Sequence, residues 1–305
     1  MASQTASGLA LRFEEHRPHL LAVGYRLTGS VADAEDAVQE SWLRLSGTDA
    51  AAVQDLRGWL TTVVGRICLD RLRSAAVRRE SYVGQWLPEP VVTRPASATP
   101  DPLDALVRGE DARLAAMVML DTLSPAQRVA FVLHDGFGVP FDEIAGILGV
   151  APDAARQHAS RARRTVAKAP KPVRAPEHDE AVNRVLDALT SGDLDAVVAA
   201  LHPEAVAVGD AGGTTSTAMR PVVGAERIAR FFLGLGRKFD NENLRQAFPV
   251  RVNGTLGLYM PPLPATATHG AVPVHILGFV VADGRVAGIY DFANPGKFGG
   301  VRVPA

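Results

Sequence analysis

The chain has 305 residues, of which 47% are hydrophobic, and a formal net charge of −1. That length suits two or three domains with real cores, and the near-neutral balance excludes a globally basic nucleic-acid binder, so any such role must be local. The single cysteine excludes an internal disulfide framework and fits a reducing compartment. No apolar run reaches the ~18 residues of a membrane span. The start MASQTASGLALRFEEH lacks the basic and apolar regions of a signal peptide. A cytoplasmic protein with no membrane partner is expected. Composition divides the chain into a helical region (9–80), a proline-rich linker (81–104) and a second helical region (105–168). A second linker (169–178) and a mixed α+β region (179–301) follow. The expected architecture is therefore two all-α domains and one α+β domain.

In the first region, HLLAVGYRLTG carries Leu20, Val23, Tyr25 and Leu27 at roughly helical spacing. SVADAEDAVQESWLRL opens on Ser30, a good cap, with Asp33, Glu35 and Asp36 suited to a helix N-terminus. Val38, Trp42 and Leu45 form its core stripe, and the acids Asp33, Asp36 and Glu40 occupy another face. DLRGWLTTVVGRICLDRLRSAAVRRE is a long amphipathic helix. Its inner side is Leu56, Leu60, Val63, Val64, Ile67 and Leu72, with Cys68 as a small buried hydrophobe. Its outer side is Arg66, Arg71, Arg73, Arg78 and Arg79, a face that suits a nucleic-acid backbone. The linker then holds WLPEP (residues 86–90), a Trp-Leu pair on an arm stiffened by two prolines. Exposed apolar surface on a linker gains nothing, so the pair implies a partner.

The second helical region is more specific. Ser124-Pro125 starts one helix, Pro140-Phe141 opens FDEIAGILG, and Gly149 permits a tight turn before Pro152 starts PDAARQHASRARRTVAK. Ala145, Gly149 and Ala155 have the spacing of a helix-turn-helix. No acid interrupts residues 156–171. Asp153, Arg156, Gln157, Ser160, Arg161 and Arg164 share the outward face, with Arg163 close by. A recognition helix reads bases with its N-terminal residues and grips phosphates further on.

In the third region, EAVNRVLDALTSGDLDAVVAAL reads as two helices broken at Ser191-Gly192, and HPEAVAVGDAGG as a strand and turn. GAERIARFFLGLGRKF is amphipathic, with Ile228, Phe231, Phe232 and Leu235 inward. HILGFVVADGRVAGIYDFANP is a hairpin on an Asp-Gly turn. Helices followed by a curved antiparallel sheet suit a cone that encloses a pocket. Asp210, Tyr259, His275 and Asp291 are its candidate acid–base groups. The eight histidines lack metal-ligand spacing and there is no phosphate loop, so no metal and no cofactor are expected.

The two helical regions, in this order, resemble an extracytoplasmic-function (ECF) sigma factor. FEEHRPHLLAVGYRLTGSVADAEDAVQESWLRL and DLRGWLTTVVGRICLDRLRS look like sigma region two, and LSPAQRVAFVLHDGFGVPFDEIAGILGVAPDAARQHASRARR like region four. The resemblance implies contacts with core RNA polymerase, namely the clamp of the β′ subunit and the β flap, and with promoter DNA. It assigns Asp33, Asp36 and Glu40 to polymerase, Arg66, Arg71, Arg73 and Arg78 to the −10 element, and Arg156, Gln157, Ser160, Arg161, Arg163 and Arg164 to the −35 element. Polymerase does the chemistry, so no catalytic residue is implied. The continuation from residue 169 to 305 resembles the SnoaL-like, NTF2-like tail of SigJ-type sigma factors. WLPEP is intact, the family's Asp-Gly-Gly-Gly motif is matched in part by DAGG (210–213), and its Asn-Pro-Asp-Lys-Leu motif appears as NPGKF (294–298). The tail then acts as an intramolecular regulator, with Trp86, Leu87, Pro88, Asp210, Gly212, Gly213, Asn294, Pro295 and Lys297 at its interface. A small-ligand sensor pocket and an isomerase- or cyclase-like enzyme are the alternatives for the tail. The aromatic arm is expected to pack near Asp210 or near the Asn294–Phe298 end.

Overall fold

The structure is a computed structural model that describes residues 2–48, 53–80, 82–94, 103, 106–107, 109, 112–213, 217–218, 220–266 and 269–302; side chains 2–7 and 76–80 lie outside it. The chain divides into two compact units. The first comprises Met1–Glu80, Pro100–Ala112 and Ala116–Ala169, and the second Ser81–Thr99, Arg113–Ala115 and Pro170–Ala305.

The first unit is helical. Helices α1 (Ala2–Thr28), α2 (Val31–Ser46) and α3 (Leu56–Glu80) pack on one another. Ser30 caps α2 by accepting the Asp33 N–H at 3.1 Å. Leu20, Val23, Tyr25, Leu27, Val38 and Leu45 are buried, as are all six expected inner residues of α3. Trp42 lies at the margin, half-buried beside Phe13. After α4 (Leu114–Leu120), helix α5 (Pro125–Phe131) starts in a reciprocal Ser124–Gln127 capping box and runs into a π-turn, Val132–Gly136. Helix α6 (Phe141–Leu148) ends at Gly149 in the left-handed conformation, φ 69°, and α7 (Pro152–Val166) follows. Ala145 and Ala155 are buried at the α6–α7 contact.

The two helical regions, expected as separate domains, are packed together. Gly65 of α3 lets Leu133 and Ile147 approach so closely that an added Cβ would lie 3.1 and 3.3 Å from their methyls. Arg128, 1% exposed, donates through Nε to the Arg26 carbonyl at 3.0 Å and pairs with Asp121. A charge this deep persists only when paired and hydrogen-bonded.

The second unit carries helices α8 (Ala175–Ser191), α9 (Leu194–Ala200), α10 (Ala225–Lys238) and α11 (Glu242–Arg245). Its strands are β1 (Val92–Thr93), β2 (Leu201–Asp210), β3 (Val222–Val223), β4 (Phe248–Val252), β5 (Thr255–Met260), β6 (His275–Ala282) and β7 (Arg285–Phe292). They form a seven-stranded sheet in the order β1-β4-β5-β6-β7-β2-β3. Val182, Val185, Ile228, Phe279 and Ile289 lie in the helix–sheet core. The β6–β7 hairpin turns at Asp283-Gly284, both at positive φ, as expected.

Three features correct the sequence reading. The sheet is not wholly antiparallel: β2 runs parallel to β7 from Val206↔Gly288 to Asp210↔Phe292. Parallel neighbours need a long connection, here everything between β2 and β7, and local patterning does not show it. The β4–β5 hairpin on Asn253-Gly254 was not anticipated. The linker is not a free connection either, because β1 pairs with β4 through Val92↔Val252. The Val92 N–H donates to Gly300 O at 2.9 Å, and the Arg302 N–H donates to Val92 O at 3.0 Å. Among the described residues, no helix is long and apolar enough to cross a membrane.

Candidate functional site: the linker anchor and the basic helices

Helix α7 buries Ala155, Ala159 and Ala162, small side chains that seat it closely on its neighbours. Arg156, Gln157, Arg161 and Arg164 are exposed and Ser160 is half-buried. Arg156 pairs with Asp153 at 2.7 Å and lies 5.6 Å from the Phe141 ring centre. Arg163 turns aside to Asp135, 2.6 Å away. On α3, Arg66 is exposed, and Arg73 is exposed with Asp70 at 3.7 Å. Arg71 is half-buried and already engaged: it bridges Asp33 at 2.7 Å and Asp36 at 3.3 Å, tying α3 to α2. Burial works against its charge, but the two carboxylates hold its pKa above the ordinary value. Glu40 pairs with Arg44 one turn along α2. The side chains of Arg78 and Arg79 lie outside the described residues.

The second unit gathers the linker and tail motifs around one buried carboxylate. Asp210, at the end of β2, is wholly buried. Its Oδ2 accepts the Leu87 backbone N–H at 2.7 Å and the Lys297 ammonium at 2.6 Å, while Oδ1 accepts the Tyr82 hydroxyl. Lys297, 5% exposed, also donates to the Leu87 carbonyl. Its Nζ lies 3.4 Å from the Trp86 ring centroid, a desolvated cation–π contact, and Tyr82 meets Trp86 edge-on. Leu87 and Pro88 are buried.

Asn294 Nδ2 donates to the Tyr82 hydroxyl oxygen at 2.8 Å, and Asn294 Oδ1 accepts the Gly296 N–H that shapes the turn Pro295–Lys297. Pro295 is exposed on that turn. Gly212, at φ 59°, needs to be glycine twice over, because an added Cβ would sit 2.6 Å from Asn294 Nδ2. Gly213 lies beside Val83. Burial first, and then the Asp210 carboxylate, pushes the Tyr82 pKa up, so the hydroxyl stays a donor. Tyr82 was missed by the sequence reading. Its signal was an aromatic residue four positions before Trp86 in an otherwise linker-like segment.

Of the four groups named for the cone, two meet. His275 Nδ1 lies 2.8 Å from Asp291 Oδ1, and Thr217 Oγ1 donates to Asp291 Oδ2 at 2.8 Å. Burial works to lower the His275 pKa, but Asp291 outweighs it and the imidazole stands above its ordinary value. Both residues line a cavity of about 330 Å³. Asp210 belongs to the linker anchor instead, and Tyr259 packs on Phe248.

A helix-turn-helix with an exposed basic second helix, packed beside a helical bundle, is the frame of a sigma-type transcription factor. Residues 12–78 match the family "Sigma-70 region 2" and residues 113–166 match "Sigma-70, region 4". The chain is 51% identical over 291 residues to the ECF RNA polymerase sigma factor SigJ of Mycobacterium tuberculosis, covering 94% of this chain and 92% of that protein. It is 35% identical over 217 residues to the probable ECF sigma factor SigI of the same species, covering 70% and 72%. The crystal structure of M. tuberculosis SigJ superposes with a TM-score of 0.83 and 47% identity, over 97% of this chain and 100% of that one. The chain belongs to the ECF sigma factors of the SigJ-like type. It is a transcription initiation factor that binds core RNA polymerase and promoter DNA, and not an enzyme.

Proposed function

We propose that promoter engagement by this sigma factor is controlled by the tail through its hold on the linker. In this reading residues 9–80 serve the polymerase clamp of the β′ subunit and the −10 element. Residues 105–168 serve the β flap and the −35 element through Arg156, Gln157, Ser160, Arg161 and Arg164. Residues 179–301 are the regulator. The observation that carries the reading is the buried Asp210, which joins the WLPEP backbone at Leu87 to Lys297 of the tail. The linker lies in sequence between the two promoter-reading regions, so fixing it limits how far they separate.

The limit matters because of DNA geometry. Elements centred near −35 and −10 are about 25 base pairs apart, roughly 85 Å along the duplex at 3.4 Å per pair. In the first unit the two regions touch, with Gly65 against Leu133 and Thr62 donating to Glu143 at 3.3 Å. Reading both elements at once therefore requires this packing to open. Asp33 and Asp36 are engaged by Arg71 in the same unit, so polymerase competes with an internal cation for them.

Run-off transcription with core polymerase tests the reading. The full chain, a chain ending at residue 174, a chain ending at residue 293 and Lys297→Met are compared on one promoter. Distinct transcript yields support tail control. Equal yields from all four refute it, and no promoter-dependent transcript from any of them refutes the assigned DNA-reading faces.

A further inference from the structure

We propose that the cavity of the second unit is a binding site for a small weak acid with an apolar body, an aromatic or medium-chain carboxylic acid, whose acidic group sits on His275. The volume, about 330 Å³, falls within the range of small-molecule sites, roughly 300–1,000 Å³. Its walls include Leu186, Phe232, Leu235, Met260 and Phe279; Thr217, His275 and Asp291 meet at one polar cluster, while Lys238, Asn241 and Asn243 line it from the α10–α11 side. An apolar chamber with a few convergent polar groups selects an amphiphile by one end.

The polar end favours an acid. Among the described lining residues Asp291 is the only carboxylate, and it is already engaged by His275 and Thr217. A carboxylate accepts only, so His275 Nδ1 carries the proton in that contact. Among the described residues no hydrogen bond occupies Nε2. Asp291 favours the imidazolium, in which Nε2 becomes a second donor. Lys238, exposed at the end of α10 with its ammonium over the Phe239 ring, also lines the cavity and makes its rim cationic. An incoming carboxylate completes a charge-assisted hydrogen bond with the Nε2 donor. An amine would meet Lys238 and find Asp291 occupied.

The site adjoins the linker anchor by strand geometry. Gly209 and Asp291, paired across β2 and β7, line the cavity. The next residue of β2 is Asp210, which points to the opposite face and holds Leu87 and Lys297. The Ala293 N–H donates to Asp210 O at 2.8 Å, closing the two strands together beyond the cavity. A ligand that shifts Asp291 is then felt one residue away at the anchor. This consequence rests on the regulatory reading above, whereas the binding itself does not.

Calorimetric titration of the full chain tests the site, using decanoate and 1-naphthoate with decanol and 1-naphthalenemethanol as neutral matches. The expected result is saturable 1:1 binding of at least one acid, about tenfold or more tighter than its alcohol, one such factor being ~1.4 kcal/mol. His275→Asn should erase that preference while leaving alcohol binding in place. Leu235→Trp, which fills the chamber, should abolish both. No saturable binding of either acid, equal affinity for acid and alcohol, or unchanged acid binding in Leu235→Trp each overturns the proposal. The comparison of acid with alcohol on the unaltered chain stands even where a variant does not fold. Hydrogen exchange at Leu87 with and without the bound acid is read separately, so failure of coupling is distinguished from failure of binding.

Discussion

Lys297→Met is the sharpest perturbation of the linker anchor. It deletes the ammonium that meets Asp210, the Leu87 carbonyl and the Trp86 ring, and keeps a side chain of comparable reach. Asp210 is left as a carboxylate with no exposed surface. Breaking a buried pair from one side costs ~3–5 kcal/mol. Asp210 keeps the Tyr82 hydroxyl and the Leu87 N–H, which places the loss at the lower end, about 3 kcal/mol. That corresponds to roughly 150-fold in the equilibrium between docked and undocked linker. Hydrogen exchange read over residues 82–94 measures it, because Leu87 and Val92 have internal acceptors for their N–H groups. Their exchange should quicken by about that factor if local opening limits it. Adding Asp210→Asn should recover part of the protection by removing the stranded charge. Protection of Leu87 unchanged by Lys297→Met would refute the assignment of Asp210–Lys297 as the anchor.

Three further outcomes are expected. Tyr82 has a raised pKa in the docked form, so docking is fully supported below its ordinary value of 10.0 and weakens as pH rises beyond it. Trp86 fluorescence, with Trp42 and Trp59 replaced by Phe, should report that alkaline release, and Tyr82→Phe should abolish its pH dependence. Arg161→Ala and Arg164→Ala should each weaken promoter binding and lower the salt slope by about one, as loss of a phosphate contact does; titrations with unchanged slopes would exclude these residues from the DNA face. Cys68 is fully buried with its thiol pushed up to about 12 by burial, so it should resist thiol reagents until the first unit unfolds. Rapid modification of the native chain, followed by mass spectrometry, would contradict that burial.

The legible parts of the fold share a cause. Helices α5 to α7 could be bounded within a few residues because Ser124, Pro125, Gly149 and Pro152 act through their own backbone neighbourhood. The Asp283-Gly284 turn was legible for the same reason. The Asn253-Gly254 turn is an equally local signal, but its flanks, FPVRV and TLGLYM, alternate too poorly to mark strands on their own. Arg71 and Arg128 were beyond pattern reading. Each sits on a helix whose composition admits an exposed arginine, and only the approach of Asp33, Asp36, Asp121 and the Arg26 carbonyl shows where it goes.

The candidate site divides in the same way. The sequence by itself determined the helical elements, the helix-turn-helix with its basic outer face, and the presence of an apolar pair on a stiff arm that required a partner. These follow from spacing, capping and proline chemistry within a few residues. Tertiary structure alone decided that β2 lies parallel to β7, that the linker becomes strand β1, and that Asp210 meets Lys297 while His275 meets Asp291. Those contacts join residues separated in the chain by 87 and 16 positions. Backbone register across strands sets them, and the polar residues involved look like ordinary loop or strand polarity until the sheet brings them together.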